Sequence, residues 1–261
     1  MGFIINASST FTVYTAYRTQ ESTPMKFLPI PTAVYLGALF LCAGSLQAVT
    51  PFSDNFSTAT NTNRWKVSQF GSGKIASSAG KVLFTVPKNP TGDDFALLAL
   101  RGIQPTVNEN WEVVVDVSNT TAKGQQSGPG LAIENAADRN DAVFIEFYNN
   151  WSVSTVNSIF MTNEKDDANL DISRTVPGPN VSLRASYKKA TKIITLSYRS
   201  LPSGAWVPLS SFSPFNSAAS PRRGDWKLNP KTGKFNVVIY GYSDGNIIKS
   251  GGITLDNFSI R

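Results

Sequence analysis

The sequence predicts an all-β fold, a two-sheet antiparallel β-sandwich. Strand-length stretches recur about every 10 to 20 residues, with turn residues between them. No stretch keeps a helical period over three turns. The tetrapeptide Asp54-Asn55-Phe56-Ser57 returns near the other end as Asp256-Asn257-Phe258-Ser259. Each copy lies in a short strand-like stretch, so the first and last strands of one closed domain are expected to meet. Composition agrees. Gly, Ser, Thr and Asn are abundant, and charged residues make up only 16% of the 261 residues.

The elements begin with a leader. Met25-Lys26, the apolar run Ala33 to Ala43 and Gly44-Ser45-Leu46-Gln47-Ala48 read as the three regions of a secretory signal peptide over residues 25–48. The run is short for a membrane span. Residues 1–24 have no role in this scheme and read as an extension ahead of a start at Met25. The only cysteine, Cys42, lies inside the signal, so the exported chain from 49 to 261 must rely on its core rather than on disulfides. The expected location is secreted or periplasmic, with no stable membrane insertion after cleavage. Loss of Arg18, Lys26 and Glu21 leaves 22 basic and 17 acidic side chains, a net +5. That balance suits an anionic glycan or plain solubility. No basic run long enough to follow nucleic acid is present.

Within 49–261 the expected strands, in order, start around Phe52–Phe56. They continue as Lys81–Val86, Phe95–Arg101, Trp111–Val117, Gly130–Glu134, Ala142–Tyr148, Ser158–Thr162, Val181–Tyr187, Lys192–Arg199, Phe235–Tyr242 and Ile253–Ile260. Loops are expected at 87–93, 123–129, 177–180 and 213–223, where Pro, Gly and Asn cluster. Alternation then sorts faces. Phe235, Val237 and Ile239 share a face with Gly241, leaving Asn236, Val238, Tyr240 and Tyr242 on the other. Val143, Ile145 and Phe147 oppose Phe144, Glu146 and Tyr148. Val181, Leu183, Ala185 and Tyr187 oppose Ser182, Arg184 and Ser186. One face reads as core. The other mixes aromatic and polar groups, as a groove would.

The stretch from Val181 to Leu196, with its turn Tyr187-Lys188-Lys189-Ala190-Thr191-Lys192, resembles the strand–turn–strand of concanavalin A-like lectins and glucanases, although Lys188 stands where Asp is usual. Phe52-Ser53-Asp54-Asn55-Phe56, followed by Trp65 and Gly80-Lys81, is similar to the opening of bacterial secreted members. Leu255 to Ile260 fits a closing strand. The resemblance covers most of residues 50–261 and implies a concanavalin A-like jelly roll and glycan recognition. Galactose-binding-like jelly rolls are the alternative fold. The departures bear on chemistry. Legume-type lectins carry Glu-Phe-Asp, whose acids help hold manganese and calcium; here Glu146-Phe147-Tyr148 lacks the Asp, and the chain has no His. Laminarinase-like hydrolases carry Glu-x-Asp-x-x-Glu; here only Glu146 remains, whereas a retaining glycosidase needs two carboxyls.

Without His, standard Ser-His-Asp and Cys-His sites are excluded. Candidate glycan contacts are Glu146, Tyr148, Asn150, Trp151, Arg184, Tyr240, Tyr242 and Asp244. Sugar C–H faces stack on aromatic rings, and hydroxyls need Asn, Asp or Arg partners. Trp226 sits beside Arg222, Arg223 and Lys227, whereas Trp65 and Trp111 read as core. Asp54 and Asp256, placed by alternation beside apolar residues, need either calcium or backbone N–H donors. Three functions stay open. The first is a carbohydrate-binding, lectin-like protein. The second is a polysaccharide-degrading enzyme, best a lyase on an acidic glycan with Arg184 as neutraliser and a tyrosine as base. The third is a non-catalytic structural or surface-interaction module.

Overall fold

A computed structural model describes residues 49–58, 60–149, 154–161 (the backbone alone over 158–161), 172–215 and 226–261. The expected leader and extension, Asn150, Trp151, Arg222 and Arg223 lie outside these. The described residues form strands β1 Phe52–Asp54, β2 Trp65–Phe70, β3 Lys74–Ser78, β4 Lys81–Val86, β5 Asp94–Leu100, β6 Trp111–Asn119, β7 Ser127–Asn135 and β8 Ala142–Asn149. They continue as β9 Ser154–Met161, β10 Ile172–Thr175, β11 Asn180–Lys188, β12 Ile193–Ser200, β13 Val207–Phe212, β14 Phe235–Ser243 and β15 Ile248–Ile260. Two antiparallel sheets result. The eight-stranded sheet runs β13-β12-β11-β6-β15-β4-β3, with β1 also on β15; the seven-stranded sheet runs β10-β9-β8-β7-β14-β5-β2.

Four strands were not expected from the sequence: β2, β3, β10 and β13. These four end the two strand orders. An edge strand has a free side and a wet surface, so it carries exposed groups such as Lys66, Val67 and Gln69, or a proline such as Pro208. That blurs the alternation by which inner strands announce themselves.

The inner faces meet in one core. Val113, Val115 and Val117 from β6, with Leu183 and Ala185 from β11, pack against Leu131, Ile133, Val237 and Ile239 of the opposite sheet. The Phe84 ring passes close over Gly241, where a Cβ would stand 2.2 Å from the ring. The face assignments of β8, β11 and β14 hold, since their expected core residues are the buried ones in this cluster. Trp65, Trp111 and Trp226 are all core. Trp226 packs its ring 5.0 Å from Phe212, so it is no exposed sugar platform.

The repeated tetrapeptides do meet. Phe52 pairs with Ile260, Ser53 with Ser259 and Asp54 with Phe258. Their two Asp residues are not equivalent. The register of β15 shifts between Asp256 and Ser259, and Asn257 takes a left-handed φ of 47°. The extra residue turns Asp256 out of the core, beside Asp116 across β6, so the core-facing expectation fails there. Simple alternation cannot foresee a bulge.

Candidate functional site

The outer face of the seven-stranded sheet gathers most of the expected contacts. The registers place Tyr240 of β14 beside Gly130 of β7, Gly130 beside Glu146 of β8, and Glu146 beside Asn157 of β9. Gly130 is what joins this row. The Tyr240 ring lies over it, and a Cβ there would stand 2.3 Å from Cζ. The hydroxyl of Tyr240 thereby crosses a whole strand and donates to Oε1 of Glu146 at 2.5 Å. Farther along, the Ser173 hydroxyl donates to Asn157 Oδ1 at 2.8 Å.

Tyr240 is only 2% exposed. Phe95 at 5.3 Å and Phe144 at 6.2 Å flank its ring, within an apolar cluster that also contains Leu97, Ala132 and Val238. Its ring face is therefore spent on packing, and it acts through its hydroxyl. Tyr148, Tyr242 and Glu146 are half-buried on the same face. Glycine at 128 leaves no side chain on β7 between the strands that carry Tyr242 and Tyr148.

At the end of this face Tyr242 makes a long hydrogen bond to Asp93 Oδ1, 3.5 Å. Burial first, and the like charge of Asp244 second, push the Asp93 carboxyl up from its ordinary 3.8, with the Tyr242 bond opposing them. Asp244 stands here too, its backbone N–H donating to Gln126 O at 2.9 Å. The neighbouring Asp94 is buried and accepts from Ser72 N, Thr91 N and Thr91 Oγ1 at 2.7 to 3.0 Å. It ties two loops to the sheet end.

Arg184 is elsewhere. It lies in β11, on the outer face of the eight-stranded sheet, and does not meet Glu146 or the tyrosines. Its guanidinium contacts Glu112 at 3.3 Å and packs 4.2 Å from the Trp206 ring centre. Arg199 packs on the same ring at 4.7 Å. Trp206, which sequence reasoning passed over, is half-buried in this polar cluster with Ser182, Ser197 and Asp116. A lyase centre joining Arg184 to the tyrosines is not assembled.

The metal expectations meet the donor chemistry of the same residues. Asp54 Oδ1 accepts from Phe56 N at 2.7 Å and Oδ2 from Trp65 Nε1 at 2.9 Å. Asp256 Oδ1 accepts from Asn257 N at 2.7 Å. N–H donors thus occupy both carboxylate oxygens of Asp54 and one of Asp256. Among the described residues no three or more His, Cys, Asp or Glu side chains come together as a metal-holding group. The Glu-Phe-Asp metal pair does not fit either, because Tyr148 replaces the Asp and Glu146 is engaged by Tyr240.

No family model matches the chain, and no curated protein matches it by sequence. Solved structures do. Winged bean acidic lectin, in complex with methyl-α-D-galactose, is similar with a TM-score of 0.56 at 11% identity, over 81% of this chain and 97% of that one. Lectin II from Ulex europaeus gives 0.53 at 9%, over 82% and 98%. The carbohydrate recognition domain of Emp46p in its potassium-bound form gives 0.51 at 11%, over 79% and 93%. At such identities the likeness shows the fold, which is the concanavalin A-like jelly roll.

Proposed function

We propose that this chain is a secreted, lectin-like protein that binds a poly- or oligosaccharide on the outer face of its seven-stranded sheet. The observation that carries this is the placement of Glu146, Tyr148 and Tyr242 together on that face, each half-buried. Tyrosines supply apolar surface for sugar C–H faces, and a carboxylate accepts from sugar hydroxyls. The similar solved structures include lectins bound to galactose and methyl-α-D-galactose, which supports the same class of ligand here. Asp93 and Asp244 put two carboxyl groups at the end of this face, which favours hydroxyl-rich neutral glycans over uronic acids there. Of the Glu-x-Asp-x-x-Glu acids the strand keeps only Glu146, and Tyr240 holds it, which favours binding over hydrolysis. Export rests on the leader at 25–48, and recovery of the protein outside the cytoplasm would support it.

A glycan array probed with the purified protein tests the reading. Retention on at least one neutral glycan is expected, and Tyr148→Ala and Tyr242→Ala are expected to weaken it while preserving the unfolding midpoint. Unchanged retention in both variants overturns the site, and an empty array overturns the function.

A further inference from the structure

We infer that a buried amide cluster built on Asn119 and Asn149, with no metal ion, fastens the two sheets together at the end of the candidate face. Asn119 ends β6 in the eight-stranded sheet, and Asn149 ends β8 in the seven-stranded one. Each is only 2% exposed, and Ser127, at the start of β7, is fully buried beside them. Asn119 Nδ2 donates to Ser127 O at 2.8 Å and to Phe147 O at 3.2 Å. Its Oδ1 accepts from Thr121 N, Thr121 Oγ1 and Asn149 Nδ2 at 2.7 to 3.2 Å. Asn149 Nδ2 also reaches Thr121 O at 2.8 Å and Oγ1 at 3.0 Å, and its Oδ1 accepts from Ser154 Oγ at 2.7 Å. The ends of β6, β7, β8 and β9 and the 120–126 connection are thereby joined through neutral groups alone.

The chemistry of this cluster excludes a cation. Calcium takes several oxygen ligands, carboxylates prominent among them. Here both side-chain nitrogens point their hydrogens into the cluster, and the oxygens are already used. The cluster adjoins Glu146-Phe147-Tyr148, the strand on which the resembling legume-type lectins carry metal-holding acids. Tyr148 stands where that motif has Asp, and a satisfied hydrogen-bond network lies alongside, reaching Phe147 O itself. Asn119, which opens the sequon-like Asn119-Thr120-Thr121, is buried with its side-chain amide fully engaged. The inference concerns how the face is held and stands whether or not a glycan binds there.

Thermal unfolding and amide hydrogen exchange of the purified protein test it together. A cation bound to the native state must raise the midpoint with its concentration. The midpoint in excess chelator and in millimolar calcium or manganese is therefore expected to agree within about 1 °C; a rise with either cation overturns the proposal. Asn149→Ala is expected to speed exchange at residues 120–127 at least about fivefold, leaving β11 and β12 unchanged. Unchanged exchange at 120–127, or an equal rise everywhere, overturns it. If that variant does not fold, Thr121→Val removes only the shared hydroxyl, and the same local pattern is expected at smaller size.

Discussion

The hydroxyl of Tyr240 reaches Glu146 across an intervening strand because the residue between them is Gly130. The glycine is here for space, since it is not among the positions of positive φ. The relationship ties the buried apolar part of the outer face to the Glu146 carboxylate.

Gly130→Ala is therefore expected to be more damaging than loss of the hydrogen bond alone. The new Cβ would stand 2.3 Å from the Tyr240 ring, and forcing that ring aside costs on the order of 1–3 kcal/mol on top of the lost bond. Tyr240→Phe keeps the packing and removes only the bond, worth roughly 1.5–3 kcal/mol to a charged acceptor. Urea unfolding of the two variants should rank Gly130→Ala as the less stable; the opposite order would mean that the ring does not depend on the glycine.

Asp93 gives a pH signature. Its carboxyl is raised above 3.8 by burial and then by Asp244, so the native protein holds this proton more tightly than the unfolded chain does. Ionising it costs stability. The cost begins as pH rises past 3.8 and is complete above the raised native value. Asp93→Asn should therefore raise the unfolding midpoint at neutral pH, with the gain vanishing in acid below 3.8. Asp244→Asn should give a smaller gain of the same sign. A midpoint lowered at neutral pH would show that the Asp93 charge is needed.

Tyr187 gives the alkaline counterpart. Its ring stacks on Trp111 with centres 5.5 Å apart, and burial pushes its hydroxyl from 10.0 up to about 12. Stability from keeping it protonated is full below 10.0 and is lost as pH climbs toward about 12, on the order of 2–3 kcal/mol in all. Guanidinium unfolding across that window should show a steep fall in wild type and a shallower one in Tyr187→Phe. Parallel curves would place the alkaline transition on other groups.

The legible parts of this molecule were those that local pattern controls. Val143, Ile145 and Phe147 against Glu146 and Tyr148, or Val237 and Ile239 against Tyr240 and Tyr242, are sorted by the pleat itself. What stayed hidden depends on long-range pairing. Arg184 alternates as well as Glu146 does, yet nothing in either strand says which sheet it joins. Only the pairing of β11 with β6 and β12 puts Arg184 against Glu112 and Trp206. Gly130 opens an expected strand, Gly130–Glu134, but nothing local to it says that Tyr240 will lie on it. Asn119 and Asn149 read as ordinary strand ends, and 30 residues separate them before the fold joins their amides.

The two Asp-Asn-Phe-Ser copies can be told apart by mutation. Asp54 accepts two N–H groups, one from the buried Trp65 indole and one from Phe56. Phe56 is held in the left-handed region at φ 51°, a strained setting for a bulky residue. Asn at position 54 has one acceptor oxygen, so its amide would face one of the two donors. Asp54→Asn is then expected to cost about 1–3 kcal/mol through an unpaired donor. Asp256 sits on the wet side of the bulge with a local bond to Asn257 N, and Asp256→Asn should stay within about 0.5 kcal/mol of wild type. Denaturant midpoints for the pair decide the matter. Equal losses would mean that the seam uses both carboxylates alike, and a loss at Asp54 alone assigns the closure of the sandwich to the Asp54–Trp65 bond beneath the paired β1 and β15.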